Sequence, residues 1–410
     1  MRVFQVLLSL LLAATASAAT LPGFQVETIA HADGFVTSVV TDSQGTIYFT
    51  TAEGWIHRVD GSQATKVASL PTRFGGNGGL LGMALLDDAT AVVHYTTWKP
   101  EPDLLPILDD VISKVDLATG AETVLHTFVC DVGYRPNGVS DEHHGGNPTV
   151  APDGTIFVGI GEYASRAIAQ MPGWNAGRIW RIDPFGNVTQ WALGMRNPYD
   201  LAWDPHLGKV VVADNGQTGG DEIHVLERGA NGDWPPEANV ENPSEPVYIF
   251  PKTVAPTGFH RLHGANAMLP YGYLMGAFVT KAIYYFPTVE GEVADPFPLL
   301  EQFSEYVIDV TEAPNGEIIF ATAMFPKTTI HRLRTPQRGD CNGDGRADWR
   351  DVWPLMEEIA EGEHPRVLAQ EGEHVGSWGC DANLDGLIRQ DDLDALVRLI
   401  TTRHRAVRAR

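Results

Sequence analysis

The amino-acid sequence predicts an all-β six-bladed β-propeller followed by a small α-helical, EF-hand-like module at the C-terminal end. A glycine-containing turn followed by a β-rich run recurs about six times, which is typical of a propeller. The 410 residues include 42 Gly and 27 Pro and are 43% apolar, which suits many turns and short strands around a real core. Beyond residue 335 the chain changes to acidic loops and helical runs.

The first 18 residues are predicted to be a secretory signal peptide. Arg2 supplies one positive charge, a mainly apolar stretch runs from Val3 to Leu12, and Ala16 and Ala18 form a small-residue cleavage site. A membrane span would need about 20 apolar residues, and no other stretch of the sequence has them. We therefore expect a secreted or periplasmic protein.

Residues 21–334 carry the repeated unit, which has two parts. The turn and its strand occur at residues 42–49, 152–158, 204–211 and 314–320. A second strand follows at residues 55–59, 178–182, 222–226 and 329–333, and degenerate copies lie at residues 79–114 and 248–286. Alternation of apolar and polar residues marks these runs as strands buried on one face. The early strand Phe24–Thr28 is expected to complete the last blade and close the ring.

Charge and motifs exclude several functions. A net charge of −23 excludes a broad nucleic-acid footprint. The sequence has no G-x-S-x-G, H-E-x-x-H, P-loop or CxxC motif, which removes the common hydrolase, protease and nucleotide-binding classes. His57, His224 and His331 lie within periodic strands and are expected to pack inside blades, and His144 is expected to be a turn residue.

Five segments are more specific than the repeat requires: Gly78–Ala84, His143–Gly146, Gly177–Asp183, Gly194–Pro198 and Gly219–Ile223. Through them the chain resembles the soluble PQQ-dependent sugar dehydrogenases, the glucose/sorbosone dehydrogenase family, over most of residues 21–334. The resemblance implies a six-bladed propeller with quinone and calcium on its axis. It also implies oxidation of an aldose, a small sugar, at its anomeric carbon.

The resemblance implies catalytic roles for three residues. His143 corresponds to the general base, since a neutral imidazole can take the proton of the anomeric hydroxyl near neutral pH. Glu162 is the acidic residue that would orient this base. Arg196 would stabilise charge on the quinone oxygens, and Asn197 beside it would contact the quinone.

Further cofactor contacts follow from the same resemblance. Asn77 and Lys281 correspond to quinone-binding positions, and backbone carbonyls of the loop Asn215–Gln217, including Gly216, would hold calcium as a Lewis acid. Tyr306 and Ile308 stand where the family has two arginines. Their presence motivates a second hypothesis, a non-catalytic propeller that binds carbohydrate or protein on its axis.

Residues 339–402 contain two calcium-loop patterns, Asp340–Asp351 and Asp381–Asp392. Alternate residues bring oxygen ligands inward, a glycine at position 6 turns the chain, and position 12 closes the shell. The predicted ligands are Asp340, Asn342, Asp344, Arg346 (backbone), Asp348 and Asp351 in the first loop, and Asp381, Asn383, Asp385, Leu387 (backbone) and Asp392 in the second.

The paired loops resemble the dockerin module, which implies calcium-dependent folding and docking onto a cohesin-like or other cell-surface partner. Arg389 at position 9 of the second loop departs from that pattern. Cys341 and Cys380 lie beside the starts of the two loops and are either bridged, leaving Cys130 outside a disulfide, or both reduced. Residues 403–410 form a short basic tail.

Overall fold

The structure, a computed structural model, describes residues 19–408 except 73, 76–77, 100–106, 131–141, 218, 270, 290 and 367–375. The predicted signal peptide, residues 1–18, and Asn77 lie outside the described residues. Within the described part of the chain, no helix has both the length and the apolar character needed to cross a membrane.

Most of the described chain forms antiparallel β-strands. Strands β1 to β14 are Ala19–Thr20, Gln25–Asp33, Val36–Thr41, Ile47–Thr51, Trp55–Asp60, Gln63–Ser69, Leu80–Asp87, Thr90–Lys99, Ile107–Asp116, Glu122–Phe128, Thr149–Val150, Ile156–Ile160, Arg178–Ile182 and Val188–Leu193. Strands β15 to β26 are Pro198–Asp204, Lys209–Asp214, Glu222–Leu226, Tyr248–Ile249, Pro256–Arg261, Gly272–Ala277, Ala282–Val289, Glu292–Val293, Phe297–Glu301, Tyr306–Glu312, Ile318–Met324 and Lys327–Arg334.

These strands make six blades, as the repeat predicts. Blades 1 to 4 are β3–β6, β7–β10, β11–β14 and β15–β18. Blade 5 contains β19, β20, β21 and β23, with β1 added at its outer edge, and blade 6 contains β24, β25, β26 and β2. The pairing of β2 with β26 confirms that the early strand closes the ring. The inner strands β3, β7, β11, β15, β19 and β24 contact one another in order around the axis.

The recurring turn has a simple local cause. Asp42 Oδ1 accepts hydrogen bonds from the backbone N–H groups of Gln44 (2.9 Å) and Thr46 (2.8 Å), so the side chain replaces a strand partner. Gly45 has a φ of 81°, a left-handed conformation that glycine adopts without strain. This turn connects the first strand of the blade to the second.

Packing within the blades buries the histidines that the sequence places within strands. His57 stacks on Phe49 with ring centroids 4.6 Å apart, and His331 stacks on Phe320 at 4.8 Å. His224 is also fully buried. The prediction that these three histidines pack inside blades is confirmed.

The C-terminal region contains two α-helices, α1 (Val352–Ala360) and α2 (Gln390–Arg408), and a short pairing of β27 (His364–Pro365) with β28 (Leu387–Ile388). α1 begins directly after the first acidic loop and α2 begins within the last positions of the second, but among the described residues no α-helix leads directly into either loop. The EF-hand-like arrangement is therefore not confirmed, although the helical character of the region is.

This region packs firmly on the propeller. Trp378 is fully buried and contacts Phe24, Tyr285 and Phe297 at ring-centroid distances of 5.3, 6.4 and 5.5 Å. Burial of a tryptophan among aromatic rings gives a large hydrophobic contribution. The region therefore packs against blade 5 and against Phe24.

A disulfide joins Cys341 to Cys380. Of the two possibilities that the sequence leaves open, the bridged one is correct. Cys130 follows the last strand of blade 2, is buried and is not in a disulfide.

Candidate functional site

A cavity of about 410 Å³, the axial cavity, lies at the end of the axis where the inner strands begin. All six blades contribute to it from the start of an inner strand or the loop before that strand, through Thr37, Gly78, His143, Tyr199, Thr257 and Ile308. Propellers bind ligands at such a convergence of loops. The axial cavity is therefore the candidate functional site.

His143 lines this cavity, and two charged residues behind its lining hold the imidazole. His143 Nδ1 lies 2.7 Å from Oε1 of Glu162, whose side chain is 2% exposed. Nη2 of Arg196 lies 3.2 Å from Nε2 of the same imidazole. Because a guanidinium can only donate, Nε2 accepts in this contact and Nδ1–H donates to Glu162. The structure thus brings together the three residues predicted to be catalytic.

Near His143, two positions can be occupied only by glycine. His143 itself has a φ of 57°, which is uncommon for a residue with a side chain. A Cβ at Gly161 would lie 2.0 Å from the His143 carbonyl oxygen, and one at Gly145 would lie 2.1 Å from the Gly159 oxygen. The glycines let neighbouring backbones approach closely and so hold the imidazole at the cavity.

A buried carboxylate that the sequence analysis missed supports the next pair of residues. Asp214 Oδ2 accepts from the Arg196 N–H (2.9 Å), and Oδ1 accepts from the Asn197 N–H (2.6 Å). Burial raises the pKa of Asp214 to about 6, although these backbone hydrogen bonds act in the opposite direction. The sequence signal that could have indicated Asp214 is its position at the end of β16, directly before the predicted calcium loop Asn215–Gln217.

A second missed group surrounds His144, which is buried rather than a simple turn residue. His144 Nδ1 lies 3.1 Å from Asp110, which also bonds His94 Nε2 (3.0 Å) and accepts from the Tyr163 hydroxyl (2.6 Å). Burial opposes ionisation of Asp110, but the charge and hydrogen bond of His144, with those of His94, hold its pKa at about 2. These hydrogen bonds hold His144, and so help to fix the turn that contains His143.

The loop predicted to hold calcium lies next to Arg196. The Asn215 carbonyl accepts from Arg196 Nη1 (2.7 Å), and the Gln217 carbonyl accepts from the Gly220 N–H (2.8 Å). A Cβ at Gly216 would lie 1.5 Å from the Gly220 oxygen, so the loop requires glycine there. A carbonyl oxygen has two lone pairs, so these oxygens keep capacity for a cation.

The opposite wall of the axial cavity is aromatic and apolar. Phe278 lines the cavity and stacks on Tyr306 with ring centroids 4.2 Å apart. Ile308 also lines it and is 1% exposed. Nζ of Lys281 lies 4.6 Å from the Tyr306 ring centroid and donates to the Ser304 carbonyl. Lys281, predicted to bind the cofactor, thus contacts Tyr306 and is not one of the residues lining the cavity in the described part of the chain.

A second cavity of about 320 Å³ lies at the opposite end of the axis, where the inner strands end. Asp200 and Asp309 line it and are both buried. Asp309 Oδ2 accepts from the Val39 N–H, and Asp200 Oδ2 accepts from the Phe259 N–H, each at 2.7 Å. Each carboxyl group thus joins two neighbouring blades. Burial raises the pKa of Asp309 to about 7, and burial with the nearby Asp309 raises that of Asp200.

The two acidic loops of the C-terminal region close on their final aspartates. Asp351 accepts from the N–H groups of Asn342 (3.0 Å) and Asp348 (2.7 Å). Asp392 accepts likewise from Asn383 (3.0 Å) and Arg389 (2.9 Å). These contacts bring the third, ninth and twelfth positions of each loop together.

The loop carboxylates have properties that suit a cation. Asp340 is fully buried, its Oδ1 has no hydrogen-bond partner among the described residues, and burial with Asp351 and Asp344 nearby raises its pKa. In the second loop, by contrast, Asp381 Oδ2 already accepts from Arg366 Nη1 at 2.9 Å. The first loop therefore lacks the positively charged partner that the second loop has in Arg366, and a bound cation would supply that charge.

Comparisons with known proteins show which family and which relatives the chain resembles. The family model described as glucose/sorbosone dehydrogenase matches residues 32–327. An uncharacterized protein of Synechocystis is 25% identical over 236 residues, covering 47% of this chain and 56% of that protein. The aldose sugar dehydrogenase YliI of Escherichia coli is 23% identical over 246 residues, covering 52% of this chain and 64% of that protein. The chain thus spans about 60% of the length of these curated relatives.

Solved structures share the fold. The soluble aldose sugar dehydrogenase of Escherichia coli in its apo form has a TM-score of 0.64 at 18% identity, covering 76% of this chain and 99% of that one. The PQQ-bound aldose sugar dehydrogenase of Streptomyces coelicolor has a TM-score of 0.61 at 20% identity, covering 77% and all of that chain. At this identity the likeness establishes the propeller fold.

Proposed function

Because the chain belongs to the glucose/sorbosone dehydrogenase family, we propose that it is an exported, quinone-dependent sugar dehydrogenase that oxidises an aldose at the anomeric carbon. The observation that carries this proposal is the His143–Glu162–Arg196 cluster at the axial cavity. Sugar oxidation at a hydroxyl-bearing carbon needs a base for the hydroxyl proton, and the cluster contains one in an oriented form. Export is supported by the signal-like residues 1–18.

The residues of this chain would handle the proton. His143 would accept the anomeric hydroxyl proton at Nε2, while Glu162 keeps its hydrogen bond to Nδ1–H and stabilises the ring as it becomes positive. Because Nε2 accepts from Arg196 Nη2 in this structure, the guanidinium would first have to turn its donors toward the reacting oxygens, where negative charge develops. Asp214 would hold the backbone of Arg196 in place, as its hydrogen bond to that N–H supports.

The residues of the axial cavity fit a planar quinone such as PQQ. Phe278 supplies a flat apolar surface, Asn197 and Asn215 supply polar side chains in the lining, and Arg196 contacts the lining residue His143. When bound, the quinone would supply the two-electron acceptor of the reaction. Carbonyls of the loop Asn215–Gln217 would hold a calcium ion that polarises it.

The test is reconstitution with PQQ and calcium, followed by dye reduction with a panel of aldoses. Turnover in the wild type that is lost in His143→Ala supports the proposal. His31→Ala is a suitable control, since His31 is exposed on β2 and contacts Thr329 far from the axial cavity. An absence of both quinone binding and dye reduction would refute the proposal.

A second candidate is a non-catalytic propeller that binds a carbohydrate or protein on its axis. Tyr306 and Ile308 favour this candidate. Tyr306 stacks on the lining residue Phe278 and Ile308 lines the cavity, so both positions are aromatic or apolar. Cations at these positions would stabilise the carboxylates of a bound quinone. Glycan binding that is unchanged in His143→Ala, in a protein without turnover, would favour this candidate.

For the C-terminal region we propose calcium binding by the two acidic loops and docking onto a cohesin-like partner. Exposed apolar side chains support docking: Trp349, Trp353 and Met356 are 53%, 66% and 47% exposed and lie at or near the start of α1. Exposed apolar patches of this kind often mark protein interfaces. Replacing Trp353 by Ala should weaken capture of a cohesin module, whereas unchanged capture would argue against this surface.

The two loops should differ in calcium affinity. Arg366 pairs with Asp381 inside the second loop, so calcium has to displace or compete with that guanidinium, whereas Asp340 has no such partner in the described structure. Calorimetric titration should therefore resolve a tighter site that is lost in Asp340→Asn and a weaker one that is lost in Asp381→Asn. Arg366→Gln should bring the two affinities closer together, and equal affinities in the wild type would contradict the argument.

A further inference from the structure

Three metal-binding side chains meet at the second cavity, at the end of the axis opposite His143. The donor atoms of His260, His263 and Glu312 all lie within 4.8 Å of one another. His260 is in the inner strand β19 of blade 5, His263 follows that strand, and Glu312 ends the inner strand β24 of blade 6. Neighbouring blades thus bring together residues about fifty positions apart in the chain.

Two of these donors are held in place and retain capacity for a further ligand. Glu312 is 3% exposed, and its Oε1 accepts from the Asn266 N–H (3.0 Å) while Oε2 accepts from the His263 N–H (2.5 Å). A carboxylate has about four lone-pair sites, so these two bonds leave others open. His260 Nε2 is buried and has no hydrogen-bond partner among the described residues, an arrangement that is unfavourable unless a ligand satisfies it.

The third donor is able to move. The side chain of His263 is 62% exposed, and its Nδ1 lies 3.4 Å from Glu312 Oε2. Metal–nitrogen distances near 2.1 Å require the three donors to come closer together than they are. Rotation of the exposed His263 ring is the simplest way to bring this about, because His260 and Glu312 are fixed by the surrounding strands.

We propose that His260, His263 and Glu312 bind a divalent transition-metal ion of the zinc class. Two imidazole nitrogens with one carboxylate are a known zinc donor set, which leaves a further coordination position for water or a small anion from the cavity. Calcium prefers shells made of oxygen ligands and does not suit this set. The neighbouring charge of Arg261 is directed to Asp204, with Nε 3.1 Å from Oδ2.

Such an ion would join blades 5 and 6 at the second cavity, at the opposite end of the propeller axis from the axial cavity. The site is separate from the acidic loops of the C-terminal region, whose predicted ligands are all oxygens. It also does not depend on the proposed sugar oxidation, because none of its residues lines the axial cavity.

The test uses untagged full-length protein, stripped with chelator and then kept in excess calcium so that oxygen-only sites are filled. Cobalt(II) is added as the spectroscopic probe, and zinc is then titrated to displace it. We expect one cobalt equivalent per chain with visible absorption bands typical of nitrogen and oxygen ligation, and release of the cobalt by zinc. Zinc should also raise the melting temperature.

His260→Ala and His263→Ala should each weaken cobalt and zinc binding by at least about 100-fold, since loss of even an outer-shell partner costs 10- to 100-fold. His31→Ala is the matched control and should bind like the wild type. His263 is exposed, so its variant is expected to fold, which circular dichroism checks. No cobalt bands in the wild type, or the same bands and affinity in both histidine variants, would overturn the proposal.

Discussion

The replacement of Glu162 by Gln tests whether this side chain acts through its charge. The carboxylate is 2% exposed, lies 2.7 Å from His143 Nδ1, and has a second oxygen with no hydrogen-bond partner among the described residues. Glutamine has nearly the same shape and can still accept from Nδ1–H. The variant therefore removes the negative charge while it preserves the geometry.

The size of the effect follows from that contact. A hydrogen bond to a charged group contributes about 1.5–3 kcal/mol, and the charge of Glu162 matters most when His143 has taken up the proton. Since each 1.4 kcal/mol is about tenfold in rate, kcat should fall by about 10- to 100-fold. KM should stay within about threefold, because Glu162 does not line the axial cavity.

The assay is steady-state dye reduction by the PQQ- and calcium-loaded protein between pH 5 and 9. Losing the anion makes the positive imidazole ring less favourable during proton transfer, so the loss of kcat should be seen across this pH range. Glu122→Gln is the matched control, because Glu122 accepts from Tyr95 and Ser113 in blade 2, away from the cavity. An unchanged kcat and pH profile in Glu162→Gln would refute the assigned role.

Three other predictions concern the scaffold. Gly161→Ala places a Cβ 2.0 Å from the His143 carbonyl oxygen, so dye reduction should fall at least about tenfold, whereas Gly220→Ala, with its nearest contact at 3.5 Å, should change it little. Burial, with a smaller effect from Lys66, lowers the pKa of His57 to about 4. The folded protein then binds fewer protons than the unfolded chain, so stability present above pH 6.5 is lost as pH falls toward 4, by at most about 3 kcal/mol. In His57→Phe, urea unfolding should show a smaller loss over that range, and an equal loss would contradict this. Chelation of calcium should lower the melting temperature and expose Trp378 to fluorescence quenching, and a protein indifferent to EDTA would mean that the acidic loops do not bind calcium.

The blades could be predicted from sequence because each one is a local pattern. The turn at Asp42–Gly45 and the alternating strands beside it are encoded within a few residues, and the same signal recurs along the chain. Ring closure by β2 also follows, since a propeller needs its last blade completed. Repetition, more than the propensity of any one strand, made the fold predictable.

The rest of the site depends on contacts between distant parts of the chain. Asp110 meets His144 and Tyr163 only because blades 2 and 3 are neighbours, and no spacing in the sequence indicates that meeting. The same holds for Trp378 and Phe24, which are far apart in the sequence and whose rings are in contact. The acidic loops were visible because their ligands lie within twelve residues, whereas their attachment to the propeller was not.

The central claim is that the axial cavity oxidises an aldose with His143 as the base. The most direct measurement is a single turnover without dye, in which the PQQ- and calcium-loaded protein is mixed anaerobically with aldose and the product is quantified. We predict about one equivalent of sugar lactone per bound quinone in the wild type, and almost none in a His143→Ala variant that still binds PQQ. Equal lactone yields from the two proteins, or none from a wild type that holds the quinone, would contradict the account.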